Sequence, residues 1–355
     1  MLNPNAKLNP HIFYSDIEQK ATRDGFGEGL IMAAEENPNI VALSADLAES
    51  TRVEEFAKRF PERYFECGVA EQNMAAIAAG LGVSGKIPFI SSFAVFSPGR
   101  NWEQIRTTIA YNDSNVKIAG HHTGISVGAD GVTHQATEDI AIMRALPNMK
   151  VFVPCDAIEA KKATIAASKI WGPVYLRFAR QKSPVFTTEE TPFVPGKAEI
   201  FWESFPSTHS TKTQGRPERS RGATSSGRAK PQALIIGCGP LLYNALLASR
   251  DLEKENIGTV ILNCHTIKPL DEKKIVELAK KYKAVVTVEE HQISGGLGGA
   301  VAELLAKAAP TPMEFIGMKD AFGESGEPAQ LIEKYGLSVE DIKRAVKKIL
   351  KRKRQ

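Results

Sequence analysis

The chain has 355 residues, 45 Lys and Arg against 41 Asp and Glu, a formal charge of +4, and 43% hydrophobic residues. This composition excludes a disordered or fibrous chain and gives no nucleic-acid footprint, and the length suggests two domains. No apolar run reaches membrane-spanning length, residues 1–7 lack the apolar core of a signal peptide, and Cys67, Cys155, Cys238 and Cys264 show no C-x-x-C pairing, so they read as buried reduced thiols of a cytoplasmic protein.

In chain order, the first part alternates helical and strand patterns. A helix over 24–36 precedes a short apolar strand at 40–44 that ends near Asp46. Residues 51–60 read as a helix with Thr51 and Glu54 as a capping box. Strands follow at 64–66, 87–92, 116–119, 150–154 and 174–178, and helices at 70–81, 102–111, 137–144 and 157–168. Such alternation predicts an α/β fold, a parallel sheet covered on both faces. Between 203 and 230, Ser, Thr, Gly, Arg and Pro dominate and apolar residues nearly vanish, which predicts a disordered insertion within a linker at 193–231. The pattern then resumes, with strands at 233–236, 259–262, 284–288 and 313–316 and helices at 241–251, 271–281, 295–307, 328–335 and 338–350. Two α/β domains are therefore expected, at 1–192 and 232–355, and the cationic run from Lys347 reads as the solvated end of a helix.

Three segments carry possible chemistry. In Glu66-Cys-Gly-Val-Ala-Glu71-Gln-Asn-Met-Ala-Ala, Glu71 is the only charged side chain between Glu66 and Lys86. The small residues after it allow close packing, so this helix should be buried or lie in an interface. An acid there carries a desolvation cost unless it has a partner, and the alternative is a first-turn Glu serving the helix N-terminus. The second segment, His121-His122-Thr-Gly-Ile-Ser-Val-Gly-Ala-Asp130-Gly-Val-Thr-His134-Gln, is a glycine-rich loop after a strand and holds three of the chain's seven histidines. Ligand sites in open α/β sheets lie beyond the carboxyl ends of strands. No His pair has helical i, i+4 spacing, so contacts to a hydroxylated substrate are a better reading than a metal site; an incidental surface loop is the alternative. Arg23 opens a helix and Arg180 follows a strand; either could grip a phosphate or serve a surface ion pair. Capping explains Ser50 in part. Gly237-Cys-Gly239 lacks the third glycine and the acid of a dinucleotide fingerprint. The glycines from Gly295 to Gly299 favour close helix packing over anion binding.

Taken together, Arg63-Tyr-Phe-Glu-Cys-Gly-Val-Ala-Glu71-Gln-Asn-Met, then Ser91-Ser-Phe93-Ala-Val-Phe96, then Gly128-Ala-Asp130-Gly-Val-Thr-His134-Gln, closely resemble the transketolase family, and more narrowly the C-terminal subunit of a split transketolase. The resemblance implies a pyrimidine-binding domain followed by a transketolase C-terminal domain. It implies thiamine diphosphate and a divalent cation, Mg²⁺ or Ca²⁺. By that resemblance Glu71 bonds the cofactor's aminopyrimidine and is catalytic, Phe93 and Phe96 pack on that ring, and Asp46 lies near the cofactor. Asp130 and His134 contact substrate hydroxyls, His134 being also catalytic, while Arg23, Ser50, His122 and Arg180 hold the sugar's terminal phosphate. The activity implied is transfer of a two-carbon ketol unit between sugar phosphates.

Two departures from the family pattern stand out. Gly99 occupies a position that is often aromatic, and the Gly-Asp-Gly…Asn motif, whose hard oxygen ligands hold the metal and diphosphate, is absent. The resemblance therefore implies a separate N-terminal subunit holding the metal, and a paired assembly with two copies of each chain. Neither nucleic acid nor membrane is an expected partner. The rival readings are the β subunit of a 2-oxoacid dehydrogenase E1 component, which leaves Arg23, His122 and Arg180 without purpose, a deoxyxylulose-phosphate-synthase-like half, and a non-catalytic partner subunit.

Overall fold

The computed structural model describes residues 1–205 and 231–353. Two main sheets form. The first has seven strands in the spatial order Thr266–Lys268, Lys150–Phe152, Val174–Arg177, Lys117–His121, Ile87–Phe93, Ile40–Ser44 and Tyr64–Glu66. Its neighbours are parallel, except that Thr266–Lys268 runs antiparallel to Lys150–Phe152. The second has five strands, ordered Met313–Met318, Val285–Gln292, Ala233–Gly237, Thr259–Asn263 and Glu199–Glu203, with only the last antiparallel. Ile40–Ser44 and Ala233–Gly237 are buried at every position, as expected of central parallel strands under helices on both faces.

Close packing follows from small residues. Helix Thr22–Glu36 lies on helix Ala157–Ser168, and a side chain at Gly25 would collide with the carbonyl of Ala157. Helix Glu71–Val83 buries Met74, Ala75, Ala78, Ala79 and Gly82 against its sheet. Its opposite face, with Ala76, Ile77, Gly80 and Val83, is exposed. Phe65 and Val69 are exposed beside it, so this chain alone leaves an apolar surface around the start of that helix.

Four expectations need correction. The predicted helix at 51–60 is only Glu54–Arg59; Thr51 makes no capping box, because its hydroxyl donates back to the Leu47 carbonyl at 2.8 Å. The expected linker at 193–231 contributes Glu199–Glu203 to the second sheet, and Ser204 is buried with its Oγ accepting from the Thr259 amide at 2.8 Å. From residue 206 to 230 the expected disordered insertion lies outside the described residues. Thr266–Lys268 belongs by sequence to the second half but extends the first sheet, so the chain stitches the halves together. Among the cysteines, Cys155, Cys238 and Cys264 are buried but Cys67 is only half-buried.

The basic C-terminal helix Val339–Arg352 is more than a solvated end: Lys348 and Arg352 both pair with Glu314, at 2.9 and 2.7 Å. No helix among the described residues is long and apolar enough to cross a membrane.

Candidate active site

The sheet order sets the site. Strands Lys117–His121, Ile87–Phe93, Ile40–Ser44 and Tyr64–Glu66 are adjacent and parallel, so their carboxyl ends deliver His122, Phe93, Asp46 and the approach to Glu71 to one edge. Asp46 and His122 both adopt left-handed backbone, at φ 61° and 53°, a conformation uncommon outside glycine and often found at functional sites.

Glu71 begins helix Glu71–Val83 and is 1% exposed. The partner that its burial calls for is present. Arg100 donates from Nη1 to Glu71 Oε2 at 2.9 Å, and Asn101 Nδ2 donates to the Glu71 carbonyl at 3.1 Å and to Ser97 Oγ at 3.1 Å. Arg100, about half exposed, is the only side chain among the described residues that donates to the Glu71 carboxylate, and Oε1 accepts from none of them. The buried acid is thus held by one solvent-facing cation with one oxygen uncommitted, which lowers its desolvation cost without consuming its acceptor capacity.

A ring wall stands beside it. Phe93 and Phe96 have centroids 6.2 Å apart at 25°, and His134 meets their edges at 5.9 and 5.6 Å. The Arg100 guanidinium lies 5.1 Å from the Phe96 centroid, linking the wall to Glu71. A side chain at Gly99 would strike the Val95 carbonyl, so this backbone has no room for the aromatic that the resemblance implies there.

His122 joins the wall to a cationic cluster. Its ring stacks on Phe93 at 3.9 Å and 19°. Arg23 Nη1 lies 2.9 Å from its Nε2 and also donates to the Ser50 carbonyl at 2.9 Å. Burial, and then Arg23, Arg180 and His134 nearby, push the His122 pKa down to about 3. The ring is therefore neutral, and because a guanidinium only donates, Nε2 accepts and the proton sits on Nδ1. Arg180 donates to the Val127 carbonyl at 2.9 Å, and Asp24 holds Arg52 at 2.6 Å, within the same electropositive neighbourhood.

The structure therefore brings together Arg23, Ser50, Glu71, Phe93, Phe96, His122, His134 and Arg180. Ser50 contributes its carbonyl rather than its hydroxyl. Asp46 and Asp130 are exposed and their carboxylates bond to no described residue. Among the described residues, the His134 ring hydrogen-bonds only Thr133, whose Oγ1 lies 2.9 Å from its Nδ1. Sequence reasoning missed Arg100, Asn101 and Glu66. Glu66 Oε1 accepts from the Asp46 and Gly68 amides at 2.7 and 2.9 Å, fixing the turn before Glu71. The available signal for Arg100 was a cation soon after Phe96, visible only once Glu71 is placed beside it.

Two buried nitrogens here have no partner among the described residues: His122 Nδ1 and Arg23 Nε. Buried donors without partners are rare. Together with the free Glu71 oxygen and the ring wall, they fit an aromatic, nitrogen-bearing cofactor at one end and an anionic group at the other. Among the described residues no cluster of three or more His, Cys, Asp or Glu could hold a metal ion. A cleft of about 740 Å³ between the halves, walled by Lys182, Tyr243 and Arg344, contains none of the cluster residues.

The chain is similar to known proteins over nearly its whole length. Residues 18–185 match the family described as transketolase, pyrimidine binding domain, and residues 222–342 match transketolase, C-terminal domain. A putative transketolase C-terminal section from Methanocaldococcus jannaschii is 42% identical over 94% of this chain and 97% of its own length. A 6-deoxy-6-sulfo-D-fructose transketolase subunit from a Clostridium species is 36% identical over 96% of this chain and 98% of its own length. Human transketolase is 32% identical, and this chain spans 50% of it. A solved structure described as a split gene transketolase, inactive beta4 tetramer, superposes with a TM-score of 0.80 at 42% identity, covering 93% of this chain and 98% of that one.

Proposed function

This chain belongs to the transketolase family, and on that premise we propose that it is the C-terminal subunit of a two-chain enzyme that moves a two-carbon ketol unit from a ketose phosphate to an aldose phosphate. Members of the family depend on thiamine diphosphate. His122 carries this reading: one neutral imidazole stacks on the Phe93 wall and touches Arg23, so a cofactor-ring surface and a phosphate-gripping cluster share a residue. Relatives named as subunits support the division into two chains, among them one of an apulose-4-phosphate transketolase from Phocaeicola vulgatus, 33% identical over 91% of this chain. They also act on different sugars by name, so the sugar is a property of each chain's own contacts.

In this reading, the bound cofactor supplies the electron sink for the two-carbon fragment. Glu71, Phe93 and Phe96 hold its pyrimidine end. Glu71 would meet a ring nitrogen through Oε1 and share a proton with it, and Arg100 keeps the carboxylate in place. Asp46 lies near the cofactor, at the end of the neighbouring strand. His134, at the edge of both phenyl rings, moves or holds a proton at a substrate hydroxyl, and Asp130 accepts from another. Arg23 and Arg180 meet the terminal phosphate with His122 Nδ1–H, in the bidentate and charge-assisted manner suited to that group. The Ser50 carbonyl keeps Arg23 aimed.

A divalent cation and the diphosphate belong to the N-terminal subunit, in an assembly with two copies of each chain. The exposed apolar surface around helix Glu71–Val83 favours completion of the site by another chain. Unpaired cysteines fit a reducing compartment such as the cytoplasm. We propose a first domain over about 1–192 and a second that begins with strand Glu199–Glu203, with Thr266–Lys268 lent back to the first sheet. The test is ketol transfer by the two-subunit mixture with a panel of phosphorylated, sulfonated and uncharged ketoses and aldoses. Preference for phosphorylated sugars supports the reading, and equal rates with uncharged ones refute it.

A further inference from the structure

The family resemblance gives the second domain no task in the chemistry. Its contacts do. The loop from His122 to Gln135 carries much of the sugar-binding set, yet it is held largely from the other half of the chain. Glu290 lies in strand Val285–Gln292 of the second sheet and is 7% exposed. Its Oε1 accepts from the Ser126 amide at 2.6 Å, inside the short turn Ile125–Val127. The next carbonyl, of Val127, is the one that holds Arg180 at 2.9 Å. One buried carboxylate thus fixes the turn on which Arg180 rests.

The rest of the loop confirms the direction of support. Gly124 has φ 79°, and a side chain there would collide with the Glu290 carboxylate, so glycine is needed both for the backbone and for the approach. Gly131, at φ 73°, lies in the same way against Ser325. Gln135 Nε2 donates to the Ile125 carbonyl at 3.1 Å and to the Glu324 carbonyl at 2.9 Å. The Gln292 amide donates to the Thr137 carbonyl at 2.7 Å. Arg177, from the first sheet, donates to the carbonyls of Ala136 and Glu290 at 3.2 and 3.0 Å. Its guanidinium is held by Asp139 at 2.7 Å, and that buried pair anchors the foot of the loop.

We propose that Glu290 is a positioning residue for sugar-phosphate binding: by accepting the Ser126 amide it holds the 125–127 turn, and through Val127 the Arg180 guanidinium, in the geometry that grips the substrate. The second domain is then a buttress for the substrate end of the site. The proposal rests on the functional reading above. It predicts a change in binding rather than in the chemical step, because the path from Glu290 runs through Ser126 and Val127 to Arg180, whereas His134 sits at the far end of the loop against Phe93, Phe96 and Thr133.

The test compares the wild-type two-subunit enzyme with assemblies carrying Glu290→Met, which keeps volume but removes the acceptor, and Glu290→Gln, whose amide oxygen still accepts from Ser126. Glu290→Met should raise KM for the aldose phosphate by about tenfold while kcat stays within roughly threefold, as expected when a charged acceptor of a buried amide is lost. Glu290→Gln should stay within roughly threefold of wild type in both constants. Hydrogen exchange gives a second readout. The Ser126 amide should be protected in the wild type and exchange about tenfold faster in Glu290→Met, while amides of strand Lys117–His121 remain unchanged. A KM unmoved by Glu290→Met, a loss confined to kcat, or a Ser126 amide already exchanging freely in the wild type overturns the proposal. A wild-type assembly without ketol transfer overturns the functional reading instead, and the exchange comparison, made on this chain, then decides whether Glu290 holds the turn.

Discussion

The two ends of the site are built by different means. At the ring end, Glu71, Phe93, Phe96 and Arg100 come from one short stretch of the first half and hold one another through a single ion pair and ring contacts. At the end we propose for the phosphate, Arg23, Ser50, His122 and Arg180 are drawn from four distant segments. Their loop is buttressed by Glu290 and Glu324 of the other half. Local sequence can preserve the first arrangement on its own. The second depends on how the two sheets meet, so it is the end at which relatives with different sugars have freedom to diverge.

If this contrast is right, perturbations should separate by end. The largest effect belongs to the ring end: Glu71→Gln in the two-subunit enzyme should lower kcat about 10³-fold, in the range of a lost acid–base group, with little change in KM. Near-normal turnover would remove Glu71 from its role. Next comes the anchor beneath the loop. Asp139→Asn leaves Arg177 as an uncompensated buried charge; burial would raise the Asp139 pKa, but Arg177 outweighs it and holds it low. This substitution should cost about 3–5 kcal/mol in denaturant unfolding, and a cost under about 1 kcal/mol would show that the pair is not an anchor. A smaller effect is expected from Arg180→Ala. It should raise KM for phosphorylated sugars by roughly 10–100-fold, as for loss of a charge-assisted contact, and leave uncharged sugars unaffected. An equal loss with both sugar classes would break the division into two ends.

The smallest effect concerns a junction away from both ends. Glu159, buried at the first half's edge, accepts from the Cys155 amide at 2.7 Å and from Asn263 Nδ2 at 2.7 Å across the junction. Burial, then Asp156 beside it, pushes its pKa from 4.5 up to about 7. In the window between these values the folded chain holds a proton that the unfolded chain has lost. Stability from this group is therefore full below about 4.5 and falls as the pH rises to about 7. Glu159→Gln should flatten that fall by on the order of a few degrees in Tm while leaving kcat and KM unchanged. An unaltered melting profile would show that Glu159 does not titrate there.

Much of this was legible in the sequence, and the reasons for success and failure are physical. Ile40–Ser44 is an apolar run closed by Ser44 between Asn39 and Asp46, and Tyr64–Glu66 follows Pro61 and precedes Gly68, so their limits could be read directly. The fold class followed from the alternation. Thr51 misled because a local capping pattern lost to a turn that sends its hydroxyl to Leu47. Glu199–Glu203 and Thr266–Lys268 were missed because edge strands take their stability from partners far along the chain. Glu71 stood out as a charge in apolar surroundings, but its partner Arg100 did not, since an exposed arginine looks the same with or without a buried acid behind it. Glu290 carried no local signal at all; its role exists only where the second sheet meets the loop.

The central claim is that this chain supplies half of a composite site. It is tested most directly by measuring ketol transfer with thiamine diphosphate and Mg²⁺ for the purified chain alone, and then on titration with an N-terminal subunit that carries the Gly-Asp-Gly…Asn motif. The chain alone should be inactive, with activity appearing on addition of the second subunit and saturating at equal amounts of the two. Robust transfer by the chain alone would contradict the account.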